Sequence, residues 1–318
     1  MWQKYYSIHD SIHARVYVKI TVIINFSYVR GENVFLTDGW QDYTVLDTGD
    51  GMKLEKWGDV ILSRPDPQVI WAKQAPELWR EAHAEYMRSD RGGGQWNFLR
   101  KLPERWILSY GSLRFYVRPT GFKHTGLFPE QAANWDFMAG MIGRASFRPR
   151  ILNLFAYTGG ATLACAQAGA QVTHIDAAKS MNGWAKENLA LSGLEDRPVR
   201  ILADDCLKFV LREQRRGNRY DGIVMDPPSY GRGADGKVFR TEDDLFHLVE
   251  ETAKLLSDTP LFFIINSYTT GLSSVVCKNL LRICLPGCGG TVDAGDLCLP
   301  IKGQEVVLPC GTTTRWHI

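Results

Sequence analysis

From residue 151 onward, short, largely apolar runs alternate with stretches of helical period, and no other feature of the chain narrows its fold so far. The apolar runs are Ile151–Phe155, Val172–Ile175, Val199–Leu202, Gly222–Met225 and Leu261–Ile265. Helix-patterned segments follow them at Ala161–Gly169, Ala178–Leu191, Leu207–Arg216, Glu242–Leu256 and Ser273–Leu285. A strand without polar positions must be covered on both faces, and strands joined through helices run parallel. Thr291–Leu299 and Glu305–Leu308, on either side of Lys302-Gly303, read as a closing hairpin. Five strands plus the two of the hairpin give an α/β chain with a Rossmann-like seven-stranded sheet.

The chain has a different character before about residue 145. Strand-like runs at Val16–Ile24, Val60–Leu62, Val69–Ala72, Trp106–Leu108 and Leu113–Val117 are separated by turn residues such as Asp50-Gly51 and Pro65-Asp66-Pro67. One helix is expected at Glu77–Arg88, followed by a charged, glycine-rich loop at Arg88–Gln95. The expected division is a smaller α+β domain at 1–120, suited to holding a substrate, and a cofactor-binding domain at 121–318. A length of 318 residues accommodates both, and 45% hydrophobic with 23% charged residues excludes a disordered or fibrous chain. A net charge of +2 neither demands nor excludes a nucleic-acid partner, because local patches are hidden in the sum.

The seven cysteines are odd in number and form no CxxC pair or Cys/His cluster, so reduced thiols and no metal are expected. Val16–Val29 contains Lys19 and is too short to span a bilayer, and no signal pattern precedes it. A cytoplasmic protein without a membrane partner is the expectation.

In an open parallel sheet the residues just after each strand face the ligand crevice. After the first strand stands Asn153-Leu154-Phe155-Ala156-Tyr157-Thr158-Gly159-Gly160. Its adjacent glycines suit a tight turn into a helix, but the three-glycine spacing that holds a pyrophosphate is absent. A nucleoside cofactor without that group fits better. Asp176 follows the second strand, where a carboxylate holds ribose hydroxyls, caps the next helix, or does both. Asp204 and Asp205 follow the third strand; one of them is expected to accept from an adenine amino group, with Asp205 preferred, while the other caps a helix. Asp226-Pro227-Pro228-Ser229-Tyr230 follows the fourth strand and is the most specific motif in the chain. Its prolines stiffen an extended turn that combines a carboxylate, free carbonyls and an aromatic ring.

These residues resemble the class I methyltransferase family that includes bacterial large-subunit ribosomal RNA cytosine-C5 methyltransferases and their uncharacterised relatives. The resemblance runs from about Leu113 to Ser267 and includes His124-Thr125-Gly126-Leu127-Phe128-Pro129-Glu130-Gln131, similar to the family's Lys-Thr-Gly-x-Phe-x-Asp-Gln segment. Here His124 stands where the lysine is expected, after Lys123, and Glu130 replaces the aspartate. The resemblance implies S-adenosylmethionine as cofactor and a class I methyltransferase sheet. It places Thr125, Phe128 and Gln131 at the methionine end. Phe155, Tyr157, Thr158 and Gly159 would lie along the cofactor, with Asp176 at the ribose, Asp205 or Asp204 at the adenine, and Asp226, Pro227 and Tyr230 at the reaction face.

Cytosine-C5 transfer requires a cysteine thiolate that adds to the ring first. The family carries one shortly after the fifth strand, where this chain reads Asn266-Ser267-Tyr268-Thr269-Thr270. Nor is the family's N-terminal RNA-binding module recognisable in residues 1–110. The expectation is therefore direct methyl transfer, with an RNA base as acceptor. Asp226 and the Pro227 carbonyl would receive hydrogen bonds from a target amine, and Tyr230 would stack on the base. Gly231–Lys237 either closes over the substrate or is a solvated loop, and His124 is either a base or a structural residue. The rival readings are a methyltransferase of small molecules or proteins, a nicotinamide-dependent oxidoreductase, and an RNA assembly factor that binds the cofactor without transfer.

Overall fold

The computed structural model describes residues 33–89, 93–232, 238–269 and 271–318. The expected strand at Val16–Ile24 lies outside the described residues. The N-terminal part begins with β1 (Val34–Leu36), β2 (Tyr43–Gly49), β3 (Met52–Trp57), β4 (Val60–Pro65), β5 (Ala84–Arg88), β6 (Gly94–Phe98), β7 (Trp106–Tyr110) and β8 (Leu113–Val117). Strands β2 to β6 form one five-stranded sheet in chain order, and β7–β8 is a separate hairpin. Asp50 and Gly51, at φ 54° and 75°, supply the left-handed pair that a two-residue hairpin turn between β2 and β3 requires.

Two expectations for this region fail. Glu77–Arg88 is not one helix: Pro76–Glu81 is a 3-10 turn with no buried residue, and Ala84–Arg88 is strand β5. Its side chains favour helix locally, but Ala84 and Tyr86 fall on one buried face while the backbone pairs with β4 and β6. Tertiary pairing overrides propensity there. The glycine-rich stretch after Arg88 belongs to the β5–β6 hairpin, with its tip outside the described residues. Val69–Ala72 is not a strand either. Its carbonyls at Val69 and Trp71 instead accept from Gly51 and Asp50 in the β2–β3 turn.

Next come α1 (Ala132–Arg144), β9 (Arg150–Leu154), α2 (Gly160–Gln167), β10 (Gln171–Asp176), α3 (Lys179–Leu191), β11 (Val199–Ala203), α4 (Cys206–Arg215) and β12 (Gly222–Met225). A small hairpin, β13 (Tyr230–Arg232) and β14 (Val238–Arg240), leads into α5 (Thr241–Ala253) and β15 (Phe262–Ser267). The chain ends with α6 (Ser274–Cys284), β16 (Thr291–Pro300) and β17 (Val307–His317). The expected alternation is present, and the chain adds α1, which no separate sequence signal announces. The glycine-rich stretch 231–237 forms the β13–β14 hairpin, with 233–237 outside the described residues.

The central sheet has the order β1-β16-β17-β15-β12-β9-β10-β11 and eight strands, not seven. Strands β9 to β12 and β15 are parallel, and β17 enters antiparallel between β15 and β16. The eighth strand, β1, comes from the N-terminal part and pairs parallel with β16. It covers an edge that would otherwise present unpaired backbone groups. Gly295 permits this approach, since a Cβ there would fall 1.8 Å from the Asn33 carbonyl oxygen.

One face of the sheet, through Ile151, Val172, Val224, Phe262 and Ile264, packs with Trp135, Met138 and Leu163 in a core continuous with Tyr43, Val45, Trp57, Leu62 and Phe115 of the N-terminal part. The other face, through Leu152, Ile175, Ile223, Phe263 and Ile265, packs with Phe209, Leu248 and Leu281. The N-terminal sheet is thus fused to the larger layer. Thr37 Oγ1 donates to the Glu130 carbonyl at 2.7 Å, Trp40 Nε1 to that of Pro129 at 2.9 Å, and Lys302 N–H to that of Val45 at 2.9 Å. Among the described residues no helix is long and apolar enough to cross a membrane.

Candidate cofactor and acceptor site

Strand order reverses between β9 and β12, which opens a crevice at their carboxyl ends. The turn after β9 is held in an uncommon backbone shape: Phe155 and Tyr157 have φ of 55° and 52°, and Gly159 has 91°. Left-handed conformations at residues other than glycine cost about 1–2 kcal/mol each, and such strain gathers at functional sites. The surroundings enforce it. Tyr157 N–H donates to Asp176 Oδ2 at 2.9 Å, Thr158 Oγ1 to the Gly126 carbonyl at 2.6 Å, and Asn188 Nδ2 to the Thr158 carbonyl at 3.0 Å. Gly160 must lack a side chain, because a Cβ would meet the Trp135 ring at 2.5 Å.

The acidic residues after β10 and β11 separate by role. Asp176 lines the crevice and accepts backbone N–H groups of Tyr157 and Ala178 at 2.9 and 2.8 Å. Burial pushes its carboxyl up, and the two N–H donors oppose this. A carboxylate has about four acceptor positions, so the two it spends locally leave capacity for a ligand. Asp205 also lines the crevice while its Oδ1 caps α4 through the Lys208 N–H at 2.9 Å. Asp204 does not line it: its carboxylate accepts from the Asp205 N–H and pairs with Arg212. The ion pair with Arg212, nearly two turns along α4, draws Asp204 away, which spacing alone does not reveal.

Asp226 stands on the wall beside Pro227, and its side chain has no hydrogen-bond partner among the described residues. Burial, reinforced by the charge of Glu130, raises its carboxyl from 3.8 to about 7. The Pro228 and Ser229 carbonyls are taken by Thr241, which anchors the motif to the start of α5. Tyr230 begins β13 and is 56% exposed; its neighbour Gly231, not its own ring, lines the cavity.

The 124–131 segment runs along the other side. Phe128 lines the crevice and touches the rings of His124, Tyr157 and Tyr268 at centroid distances of 5.3, 5.5 and 5.5 Å. Gln131 lines a smaller adjoining pocket with Phe155, Tyr157 and Thr158, and its Nε2 donates to Tyr268 Oη at 2.9 Å. Tyr268 Oη in turn donates to Glu130 Oε1 at 2.9 Å. Thr125 is fully buried with an unpartnered hydroxyl and does not reach the cavity wall, and Gly159 sits behind the turn against Ala185. His124 does reach the wall. Burial, with Arg64, Lys123 and Lys53 nearby, pushes its imidazole down to about 4, so it is neutral at physiological pH.

The remaining wall was not foreseen. Lys53 on β3, Arg64 on β4, and Asp66, Pro67 and Gln68 after it come from the N-terminal sheet. Fully buried Glu55 holds Arg64 by two bonds, Oε2 to Nε at 2.6 Å and Oε1 to Nη2 at 2.7 Å, and accepts from Tyr43 Oη at 2.6 Å. Burial alone would raise Glu55, but Arg64 and Lys53 outweigh it and hold the carboxyl at about 2. Lysines and arginines in strands ordinarily point to solvent, so only the docking of this sheet could disclose them.

Together these elements enclose a cavity of about 760 Å³, within the range of small-molecule sites. Its wall carries Asp176, Asp205 and Asp226 from the methyltransferase sheet and Lys53 and Arg64 from the N-terminal sheet. Carboxylates after the strands suit ribose hydroxyls and an amino group. The strained turn and the partly free Asp176 carboxylate fit an adenosyl cofactor without phosphates.

Comparison with known proteins agrees with this geometry. The profile of the S-adenosylmethionine-dependent methyltransferase family matches residues 83–275. The chain belongs to this family. The methyltransferase is 37% identical to a SAM-dependent methyltransferase of Agrobacterium tumefaciens of known structure, with a TM-score of 0.85 over 89% of this chain and 93% of that one. It is 32% identical to the ribosomal RNA large subunit methyltransferase K/L of Shewanella baltica over 234 residues, 70% of this chain but 31% of that protein. With the ribosomal RNA large subunit methyltransferase K of Neisseria meningitidis it shares 25% identity over 246 residues, 73% of this chain and 66% of the relative. The methyltransferase thus spans only part of these relatives.

Proposed function

We propose that the protein transfers a methyl group from S-adenosylmethionine directly to an amino-bearing RNA base, with ribosomal RNA as the substrate class. The observation that carries this reading is the Asp226 carboxyl, unpartnered on the cavity wall next to rigid Pro227. Support for an RNA acceptor comes from the ribosomal RNA methyltransferases that the chain is similar to. Asp176 and Asp205 hold the ribose and adenine, while Phe155, Tyr157 and Phe128 flank the cofactor. Thr158 and Gln131 support the turn and the adjoining pocket. The cofactor, when bound, supplies a sulfonium methyl that is already activated. What remains for the protein is alignment and exclusion of water. Asp226 and the Pro227 carbonyl accept N–H bonds from the target amine and aim its lone pair. The ionised Asp226 then receives the proton that the methylated nitrogen gives up.

No thiolate is needed, and none is offered near Asp226. Residues 266–269 contain no cysteine, and burial pushes Cys206 and Cys310, which both line the cavity, above the range in which a thiolate forms. The N-terminal part, to about residue 120, supplies the acceptor side and residues 121–318 the cofactor side. The test is radiolabelled methyl transfer to total RNA from cells lacking the protein, with Asp226→Ala as control. Incorporation that depends on Asp226 is expected; unchanged incorporation by the variant removes Asp226 from the reaction, and labelling of protein or small molecules alone removes RNA.

A further inference from the structure

Of the three lysine and arginine side chains on the cavity wall, two have ion-pair partners and one has none among the described residues. Lys53 pairs with Asp66 at 3.3 Å and lies 4.0 Å from Glu55, which in turn neutralises Arg64. That leaves the ammonium of Lys123, on the cavity wall with no hydrogen-bond or ion-pair partner among the described residues. Its backbone carbonyl is clamped by Arg64 Nη1 at 3.0 Å, so the residue's position is fixed while its charged head is free. Burial, together with the charges of Lys53, Arg64 and Arg88, outweighs the opposing charge of Asp66 and pushes its pKa down. His124 beside it is kept neutral for the same reasons. A protein does not ordinarily leave a partly buried ammonium unpaired, and the missing partner is an anion.

We infer that Lys123, backed by Lys53 and Arg64, forms an anion subsite that receives a backbone phosphate of the acceptor, next to the nucleotide whose base lies at Asp226. This deepens the RNA reading above and rests on it. The three cations come from the N-terminal sheet and from the segment that joins it to the methyltransferase sheet. Asp176 and Asp205 instead follow β10 and β11 of the methyltransferase sheet, so an adenosine held by those two carboxylates leaves the three cations to a second ligand. Phosphate recognition by positioned lysines fixes register without reading sequence, and base identity is left to the Asp226 side. One other source of the same chemistry exists, the carboxylate of the cofactor's own amino-acid end.

The experiment separates these sources without relying on turnover. Calorimetry on the full chain measures S-adenosylhomocysteine, methylthioadenosine (which lacks the amino-acid end) and, with S-adenosylhomocysteine saturating, inorganic phosphate. Wild type, Lys123→Gln and Lys123→Arg are compared. The expected result is phosphate binding to the wild-type complex that falls at least tenfold in Lys123→Gln and returns in Lys123→Arg, with both nucleosides bound equally by all three. RNA binding by Lys123→Gln should then lose about one unit of its slope against the logarithm of salt concentration. Weakening of S-adenosylhomocysteine but not of methylthioadenosine would give the site to the cofactor carboxylate and overturn the acceptor assignment. Phosphate binding that does not depend on Lys123 would overturn the subsite altogether. If RNA proves not to be the acceptor while phosphate still binds through Lys123, the RNA reading fails and the anion site stands.

Discussion

Asp226→Asn should make the protein more stable at alkaline pH while damaging its function. In the folded protein the Asp226 carboxyl is raised from 3.8 to about 7, first by burial and then by the charge of Glu130. At 1.36 kcal/mol per pH unit, that rise corresponds to about 4 kcal/mol. Water reaching the cavity wall screens part of it, so about 2 kcal/mol is expected. Because the folded-state value is raised, the fold prefers the protonated group. The penalty is absent below about pH 4, grows as pH rises towards 7, and is complete above it. Asparagine never ionises. The variant's advantage should therefore reach about 2 kcal/mol at pH 8, roughly 3 °C in Tm for a chain of this size, and shrink as pH falls towards 4.5. Scanning fluorimetry without cofactor, from pH 4.5 to 8.5, measures this directly. A Tm difference that does not vary with pH, or a variant less stable than wild type at pH 8, would refute the placement of a desolvated carboxyl beside Glu130. Loss of transfer in the same variant would show stability given up for chemistry.

Other expectations follow from the same geometry. Glu130→Gln removes the neighbouring charge, so the pH above which transfer reaches its plateau should move below that of wild type, read from the rate against pH. Gly126→Ala places a Cβ 2.4 Å from the Trp184 ring at a φ of 92°, and should lower stability by more than about 2 kcal/mol in urea unfolding. Glu55→Gln leaves Arg64 buried without its counter-charge; a loss of about 3–5 kcal/mol is expected, again in urea. Asp176→Ala should weaken S-adenosylhomocysteine binding at least tenfold by calorimetry, whereas Asp204→Ala, whose side chain turns to Arg212, should leave it within about twofold.

Several elements were legible locally because their signal is local. Strand β12 has the bounds Gly222–Met225 read from its apolar run, and the Asp50-Gly51 turn and the terminal hairpin announce themselves through residue type. Asp205 and Asp176 were found because a parallel strand delivers whatever follows it to the same sheet edge. Sequence position allows Asp176 two duties, and the structure shows its backbone half, through Tyr157 and Ala178. Strand β5 reads as helix because its residues favour helix in isolation, and Thr125 does not reach the wall where its motif puts it.

What the sequence alone determined is the order of strands and helices beyond residue 145, and with it the crevice and the acids Asp176, Asp205 and Asp226 that line it. Hydrophobic period and chain direction suffice for that, since each acid is covalently tied to the strand it follows. The basic wall is a tertiary decision. Lys53 and Arg64 are separated from Asp226 by more than a hundred residues, and only the shared core of the two sheets, with β1 locked onto β16, turns them inward. Buried charge placed by such packing has no periodic signature, because its cost is met by partners such as Glu55 that become neighbours only after folding.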